Sequence, residues 1–185
     1  MKRTKLASRY AKAFFEFALE SDQIEKVSED ITLINRTFSS NFDLRSAINS
    51  PIIRTDKKIN ILHAVFKQHI SDITLRYLTL ILRKRRELQI HIICDEFIKL
   101  YKAYKNIVTL EIFSASKLED AIIESIKNKV KNYVHANIEV VESIKPQLIG
   151  GVSYKFNDYF VDSSIKTQLD RLKKELMDKS YEPNF

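Results

Sequence analysis

IHIICDEFIKLYKAYKNIVTLEIF, residues 90–113, contains the change of rhythm that decides the fold. Up to Tyr104 its apolar residues return every three or four places, so Ile90, Ile93, Phe97, Leu100 and Tyr104 share one helical face. From Val108 the repeat shortens to two: Val108, Leu110 and Ile112 alternate with Thr109, Glu111 and Phe113, the pattern of a half-buried strand. The chain therefore reads as mostly α, with a helical module over residues 1–105 and a small α+β module over residues 106–185.

Upstream of this change, helix follows helix. Ala7, Tyr10, Ala11, Phe14, Phe17 and Ala18 form one stripe, widened by Phe15 and Leu19. Ser21-Asp22 reads as the cap of a second helix with Ile24, Val27, Ile31, Ile34 and Phe38 inward. A short segment from Asn41 stops at Pro51, which cannot continue it. Thr55-Asp56 opens a helix with Ile59, Leu62, Val65 and Phe66, and Ser71-Asp72 opens one that is apolar on nearly all sides from Leu75 to Leu82. With the helix ending at Tyr104, these make six helices with short connections, the pattern of an antiparallel bundle.

Downstream, Ser116-Lys117-Leu118-Glu119 has the S-x-x-E form of a capping box, opening a helix with Leu118, Ile122, Ile126, Val130 and Val134. Ile138 and Val140 mark a second strand. Val152, Tyr154 and Phe156, then Tyr159 and Val161, read as a hairpin turning at Asn157-Asp158. Asp162 to Ser164 can cap a last helix striped by Ile165, Leu169, Leu172 and Leu176.

Composition narrows the chemistry. Among 185 residues there are only two glycines, Gly150 and Gly151, and they are adjacent, so no glycine-rich phosphate cradle can be written. A single cysteine, Cys94, excludes an internal disulfide framework and points to a reducing compartment. His91, Cys94 and Asp95 stand close in sequence, yet no further ligand completes a metal set, and a core cysteine beside a surface histidine explains them. His63 and His69, six apart, do not share a helical face. The basic segment before Tyr10 is not followed by an uninterrupted apolar run, so a secretory signal is not expected, and no stretch approaches the ~20 apolar residues of a membrane span.

The net charge of +7 is unevenly placed: 20 Lys/Arg face 12 Asp/Glu through residue 105, and 11 face 12 beyond it. Arg83-Lys84-Arg85-Arg86 is the densest basic run, readable as an anion-binding patch or as the cationic end of a helix. The basic balance keeps a helical nucleic-acid-binding module as the alternative reading, although no zinc finger, G-x-x-G loop or aromatic-glycine string accompanies it.

Three segments carry a family resemblance. Arg9-Tyr10-Ala11-Lys12-Ala13-Phe14-Phe15-Glu16-Phe17-Ala18 looks like R-x-Y-A-x-A-L-[FY]-E-x-A. Tyr77-Leu78 through Arg86 is similar to F-L-x-x-L-x-x-x-G-R. Pro146 to Gly151, with Asp158, Asp162, Ser164 and Leu169, matches P-x-L-I-G-G … G-D-x-x-[IV]-D-G-S-[IV]-x-x-x-L. Over essentially its whole length the chain resembles the delta subunit of bacterial F-type ATP synthase, equivalent to the mitochondrial oligomycin-sensitivity-conferring protein. It departs from the pattern at Arg85, Asn157 and Ser163, each of which stands where the family has Gly.

The resemblance implies a six-helix N-terminal bundle and a smaller C-terminal domain, acting as a non-catalytic stator with no cofactor, metal or nucleic acid. It implies that the N-terminal helix of an alpha subunit binds between the first and fifth helices, at Tyr10, Ala11, Ala13, Phe14, Phe15, Tyr77, Leu78, Ile81 and Leu82. It further implies that the second module contacts the b subunits of the peripheral stalk. The location it implies is the cytoplasmic side of the bacterial inner membrane, reached only through the complex.

Overall fold

Small residues at helical spacing set the first contact. Helix α1, Lys2–Glu20, buries Ala7, Ala11 and Ala18 completely, and this face lets α6, Ile90–Tyr104, pack directly along it. Phe14 and Phe15 flank the alanines and meet Phe97 of α6 at ring-centroid distances of 5.6 and 5.7 Å. Phe17, expected on the same inward stripe, is half exposed, and Phe15 takes the inward position instead. The computed structural model describes residues 2–134 and 136–179; the outer ends of the two expected modules, Met1 and residues 180–185, lie outside the described residues.

Helices α2 (Ile24–Ser40), α3 (Phe42–Asn49), α4 (Thr55–Phe66) and α5 (Asp72–Arg83) complete the helical part. On α2 the expected stripe is wholly buried, Ile24, Val27, Ile31, Ile34 and Phe38 all facing the core. Asn41 caps α3 by accepting the Leu44 N–H, and Ser71 caps α5 by accepting the Thr74 N–H. Ser21-Asp22 does not cap α2, contrary to the sequence reading. Asp22 takes a left-handed φ of 52°, and the N–H groups of Gln23 and Asp22 donate to the carbonyls of Ala18 and Leu19, so the pair terminates α1.

The run Arg83 to Arg86 closes α5 in the same way. Arg85 has φ 54°, its N–H donates to the Leu82 carbonyl, and the Arg86 N–H donates to that of Ile81. These are the paired bonds of a Schellman turn, made here without glycine.

Two buried charges tie the helices together. Asp30 of α2 is 5% exposed, and its Oδ2 accepts from the N–H and Oγ of Ser71 and from Thr74 Oγ1. The carboxylate thus sits at the N-terminus of α5, where the helix dipole and free amides favour negative charge. Lys58 of α4, 2% exposed, donates to Glu87 Oε1 at 2.6 Å. Burial opposes ionisation of Glu87, but the Lys58 hydrogen bond and charge, together with a backbone hydrogen bond and the charge of Arg85, outweigh it and hold the carboxyl below its ordinary value.

Tyr104 closes one compact unit and Lys105 opens a second. In the second, strands β1 (Ile107–Ser114), β2 (Asn137–Ile144), β3 (Val152–Phe156) and β4 (Tyr159–Asp162) form a mixed sheet in the order β2-β1-β3-β4. β1 and β2 are parallel, with Leu110 opposite Val140, and α7, Asp120–Lys131, makes the crossover between them. β3 pairs antiparallel with β1 and turns at Asn157-Asp158 into β4. Leu110, Ile112 and Phe156 meet Ile126 and Val130 of α7 in a small second core.

The expected capping box fails. α7 begins at Asp120, its N-cap is Glu119, and the Ser116 carbonyl instead accepts from Ser114 Oγ at 2.6 Å. Leu118 precedes the helix and packs on the core together with Ile123, while Ile122, expected inward, is exposed. The last helix, α8, spans Ile165–Lys179.

Because Asp30 satisfies three donors from a buried position, Asp30→Ala strands the N-terminus of α5. The expected loss is about 3 kcal/mol in urea unfolding, whereas its exposed neighbour Glu29→Ala stays within about 0.5 kcal/mol. Equal effects of the two substitutions would remove the carboxylate from the fold's essentials.

Candidate functional site

Between α1 and α5 lies an apolar depression of about 350 Å³, lined by Ala13, Phe14, Phe17, Ile73, Arg76, Tyr77 and Leu80. The two helices are joined at its floor. The rings of Phe14 and Tyr77 lie parallel with centroids 3.8 Å apart, and the Tyr77 hydroxyl donates to the Tyr10 carbonyl at 3.0 Å. Burial first, and then the neighbouring Cys94 and Tyr10, push the Tyr77 phenol far above its ordinary value, so it remains a hydrogen-bond donor. Ala13, the smallest lining residue, opens the α1 wall. Phe17 and Leu80, 50% and 46% exposed, form apolar lips on either side.

Burial divides the nine residues that the resemblance places in a groove. Ala13, Phe14 and Tyr77 line the depression. Tyr10 is half-buried and supports it through its carbonyl. Ala11, Phe15, Leu78, Ile81 and Leu82 are buried in the helical core beneath. Phe17, Ile73, Arg76 and Leu80 complete the lining, and the resemblance places none of the four in the groove. A partial signal exists, because α1 and α5 carry more apolar surface than one core needs, but periodicity does not single out Phe17 and Leu80 as the residues left outside it.

The glycine pair and its companions build the start of α8. Pro146 opens a short 3-10 turn, Pro146–Leu148. Gly151 has φ +74°, and a Cβ there would stand 2.5 Å from the Ser163 carbonyl oxygen, so no other residue fits without moving the backbone. The Gly150 carbonyl accepts the Ile165 N–H at 2.9 Å. Asp162 takes the Ser164 N–H on Oδ1 at 2.9 Å and the Thr167 hydroxyl on Oδ2 at 2.7 Å. Asn157 adopts φ 48° in place of the family glycine, and Asp158 follows it in the hairpin turn. Ser163 has no positive φ, so serine costs no backbone strain there.

α8 then presents Ile165, Leu169, Leu172 and Leu176 at helical spacing, each 42–70% exposed, and β4 exposes Tyr159 and Phe160. Such a stripe is an amphipathic face without a core of its own to cover it.

Nothing in these surfaces is arranged for bond-making. Cys94 is buried, and burial followed by the charge of Asp95 pushes its thiol up to about 12, far from a thiolate nucleophile. His91 Nδ1 lies 2.6 Å from Asn35 Oδ1, and Asn35 Nδ2 donates to Asp95. Among the described residues, no group of three His, Cys, Asp or Glu side chains could hold a metal, and no helix is long and apolar enough to cross a membrane.

Comparison with known proteins gives a consistent result. The family model for the ATP synthase delta (OSCP) subunit matches residues 6–176. The ATP synthase subunit delta of Rickettsia felis is 32% identical over 177 residues, covering 95% of this chain and 96% of the relative. That of Halothermothrix orenii is 33% identical, with 95% and 92% covered, and that of Parabacteroides distasonis 29%, with 94% and 96%. A chain in the cryo-EM structure of the Toxoplasma gondii mitochondrial ATP synthase hexamer shares the fold at TM-score 0.75 and 20% identity, with 93% and 97% covered.

Hydrogen bonds from Ser164 and Thr167 hold the Asp162 carboxyl below its ordinary value. A depressed carboxyl stabilises the folded state above its unfolded value and loses that effect as pH falls through the folded one. Melting followed by circular dichroism should therefore show acid destabilisation below about pH 4 that is reduced in Asp162→Asn. Identical acid profiles for the two proteins would exclude this cap as a source.

Proposed function

We propose the following role for a chain that belongs to the ATP synthase delta (OSCP) subunit family: it ties the catalytic head to the peripheral stalk through two separate docking surfaces. It is a non-catalytic structural subunit of the F-type ATP synthase and a component of its peripheral stalk. Its six N-terminal helices act as one bundle that receives the N-terminal helix of an alpha subunit in the depression between α1 and α5. Its C-terminal unit, residues 106–185 in the sequence reading, receives the b subunits along the apolar stripe of α8. It works at the cytoplasmic face of the bacterial inner membrane, held there by the complex.

The observation that carries this reading is the apolar depression itself. A stator must resist the torque of the rotor, so it needs durable contacts rather than turnover. An amphipathic helix laid in an apolar groove supplies them, because side chains at i, i+3, i+4 and i+7 can be buried together. Phe17, Leu80 and Tyr77 offer apolar walls, and Ala13 leaves room between them.

Ala13 and Leu80 are both exposed, so charged replacements there leave the fold intact. Ala13→Arg and Leu80→Asp should each weaken binding of an alpha N-terminal peptide by at least about 1.4 kcal/mol, a factor of ten, in calorimetric titration against the full chain. Unchanged affinity in both variants would move the contact elsewhere.

Deleting the subunit tests the role in the assembly. ATP hydrolysis by the detached head should persist, while proton-coupled synthesis in membranes should vanish, because an untethered head turns with its rotor. Loss of hydrolysis together with intact coupled synthesis would contradict a stator.

A further inference from the structure

The α1–α5 depression is not the only hollow beside α5. On the opposite flank, between α4 and α5, lies a second one of about 560 Å³, and Arg76 and Leu80 line both. Along α5, Arg76, Leu80 and Arg83 follow i, i+4, i+7 spacing and form the ridge between the hollows. The second hollow differs in chemistry. Lys67, Arg76 and Arg83 line it, with His63 near Thr79 and a single carboxylate, Asp72. Lys67, Arg76 and Arg83 are exposed, and none has an ion-pair partner among the described residues.

Three unpaired cations around a single acid are a site of unbalanced potential. An apolar groove whose rim continues into that potential selects for its occupant's charge as well as its shape. We infer that the helix docked between α1 and α5 is an acidic amphipathic segment, whose carboxylates reach over the Arg76–Leu80–Arg83 ridge to the cations of the α4–α5 hollow. The inference rests on the groove reading above and adds the chemistry of its occupant. The apolar groove gives residence, and the basic hollow sets register along α5 and speeds encounter with a negatively charged partner. The excess of 20 Lys/Arg over 12 Asp/Glu in residues 1–105 acts in the same direction at longer range.

The test uses the full chain and two synthetic helix-forming peptides of ~20 residues, about 30 Å long. Both carry the same Leu/Phe stripe; one has Glu along the flanks of that stripe and its twin has Gln. The acidic peptide should bind at least about tenfold more tightly at low salt, and rising salt should close the gap. Lys67→Gln with Arg83→Gln should remove most of the preference and leave the Gln twin unaffected, while Ala13→Arg should weaken both peptides. Equal, salt-independent binding of the twins would overturn the acidic requirement and leave the groove standing. Binding of neither twin would overturn the groove itself and this inference with it. Equal binding of the twins, together with binding to anionic phospholipid vesicles that the double substitution abolishes, would assign the cations to a membrane surface instead.

Discussion

The stack of Phe14 on Tyr77 is the joint on which the helical unit's outer surface depends. Aromatic rings left to themselves prefer offset or edge-to-face contact, so a parallel pair with centroids 3.8 Å apart must be fixed by its surroundings. The Tyr10 carbonyl holds the Tyr77 hydroxyl, and Phe97 supports Phe14 from below. On its other side α1 lies close against α6, because Ala7, Ala11 and Ala18 present almost no side chain. One helix thus makes a tight contact through alanines and a propped contact through aromatics. The space left by the second kind of contact is the depression beside Ala13.

Glycine scarcity shapes the rest. Left-handed backbone ends α1 at Asp22 and α5 at Arg85, and it recurs at Asn106, Ile149 and Asn157, none of them glycine. Asp and Asn adopt this region at modest cost because their short side chains bond locally. Arg85 and Ile149 lack that help, so their turns are held by what surrounds them: the doubled Schellman bonds for Arg85, and for Ile149 its N–H donated to the Pro146 carbonyl. The two glycines stand where the chain is most crowded at the start of α8, Gly151 against the Ser163 backbone and Gly150 against the Ile165 side chain.

Periodicity made the helices, the switch near residue 106 and the Asn157-Asp158 hairpin legible in the sequence. What it could not do was distinguish an apolar residue facing a core from one facing solvent: Phe17, Leu80, Ile122 and the α8 leucines fit helical stripes as well as Ile31 does, yet they are exposed. Cap motifs misled for a related reason. Ser21-Asp22 and Ser116 to Glu119 have capping residues at suitable spacing, but a side chain caps only where the backbone turns helical at that residue, and here α2 starts at Ile24 and α7 at Asp120. Long-range partners left no local trace at all. Asp30 meets Ser71 and Lys58 meets Glu87 across 41 and 29 residues, and the parallel pairing of β1 with β2 depends on where α7 returns the chain.

The same distinction separates structure from function in this protein. Its buried ionisable groups are committed to the fold: Asp30 to the end of α5, Lys58 to Glu87, Cys94 to the core. Among the described residues these three are not poised for proton transfer or nucleophilic attack, which require an accessible group with a tuned pKa. What remains uncommitted is surface, apolar in the depression beside Ala13 and along α8 from Ile165 to Leu176, and basic at Lys67, Arg76 and Arg83. A catalyst concentrates its unspent free energy in a few polar atoms. A tether spreads it over area, since each half-exposed leucine stabilises a complex only once a partner removes it from water, at roughly 25 cal/mol per Å² before the cost of association is subtracted. One such surface lies on each compact unit, which is the arrangement the role proposed above calls for: separate sites through which one chain could hold two partners at once.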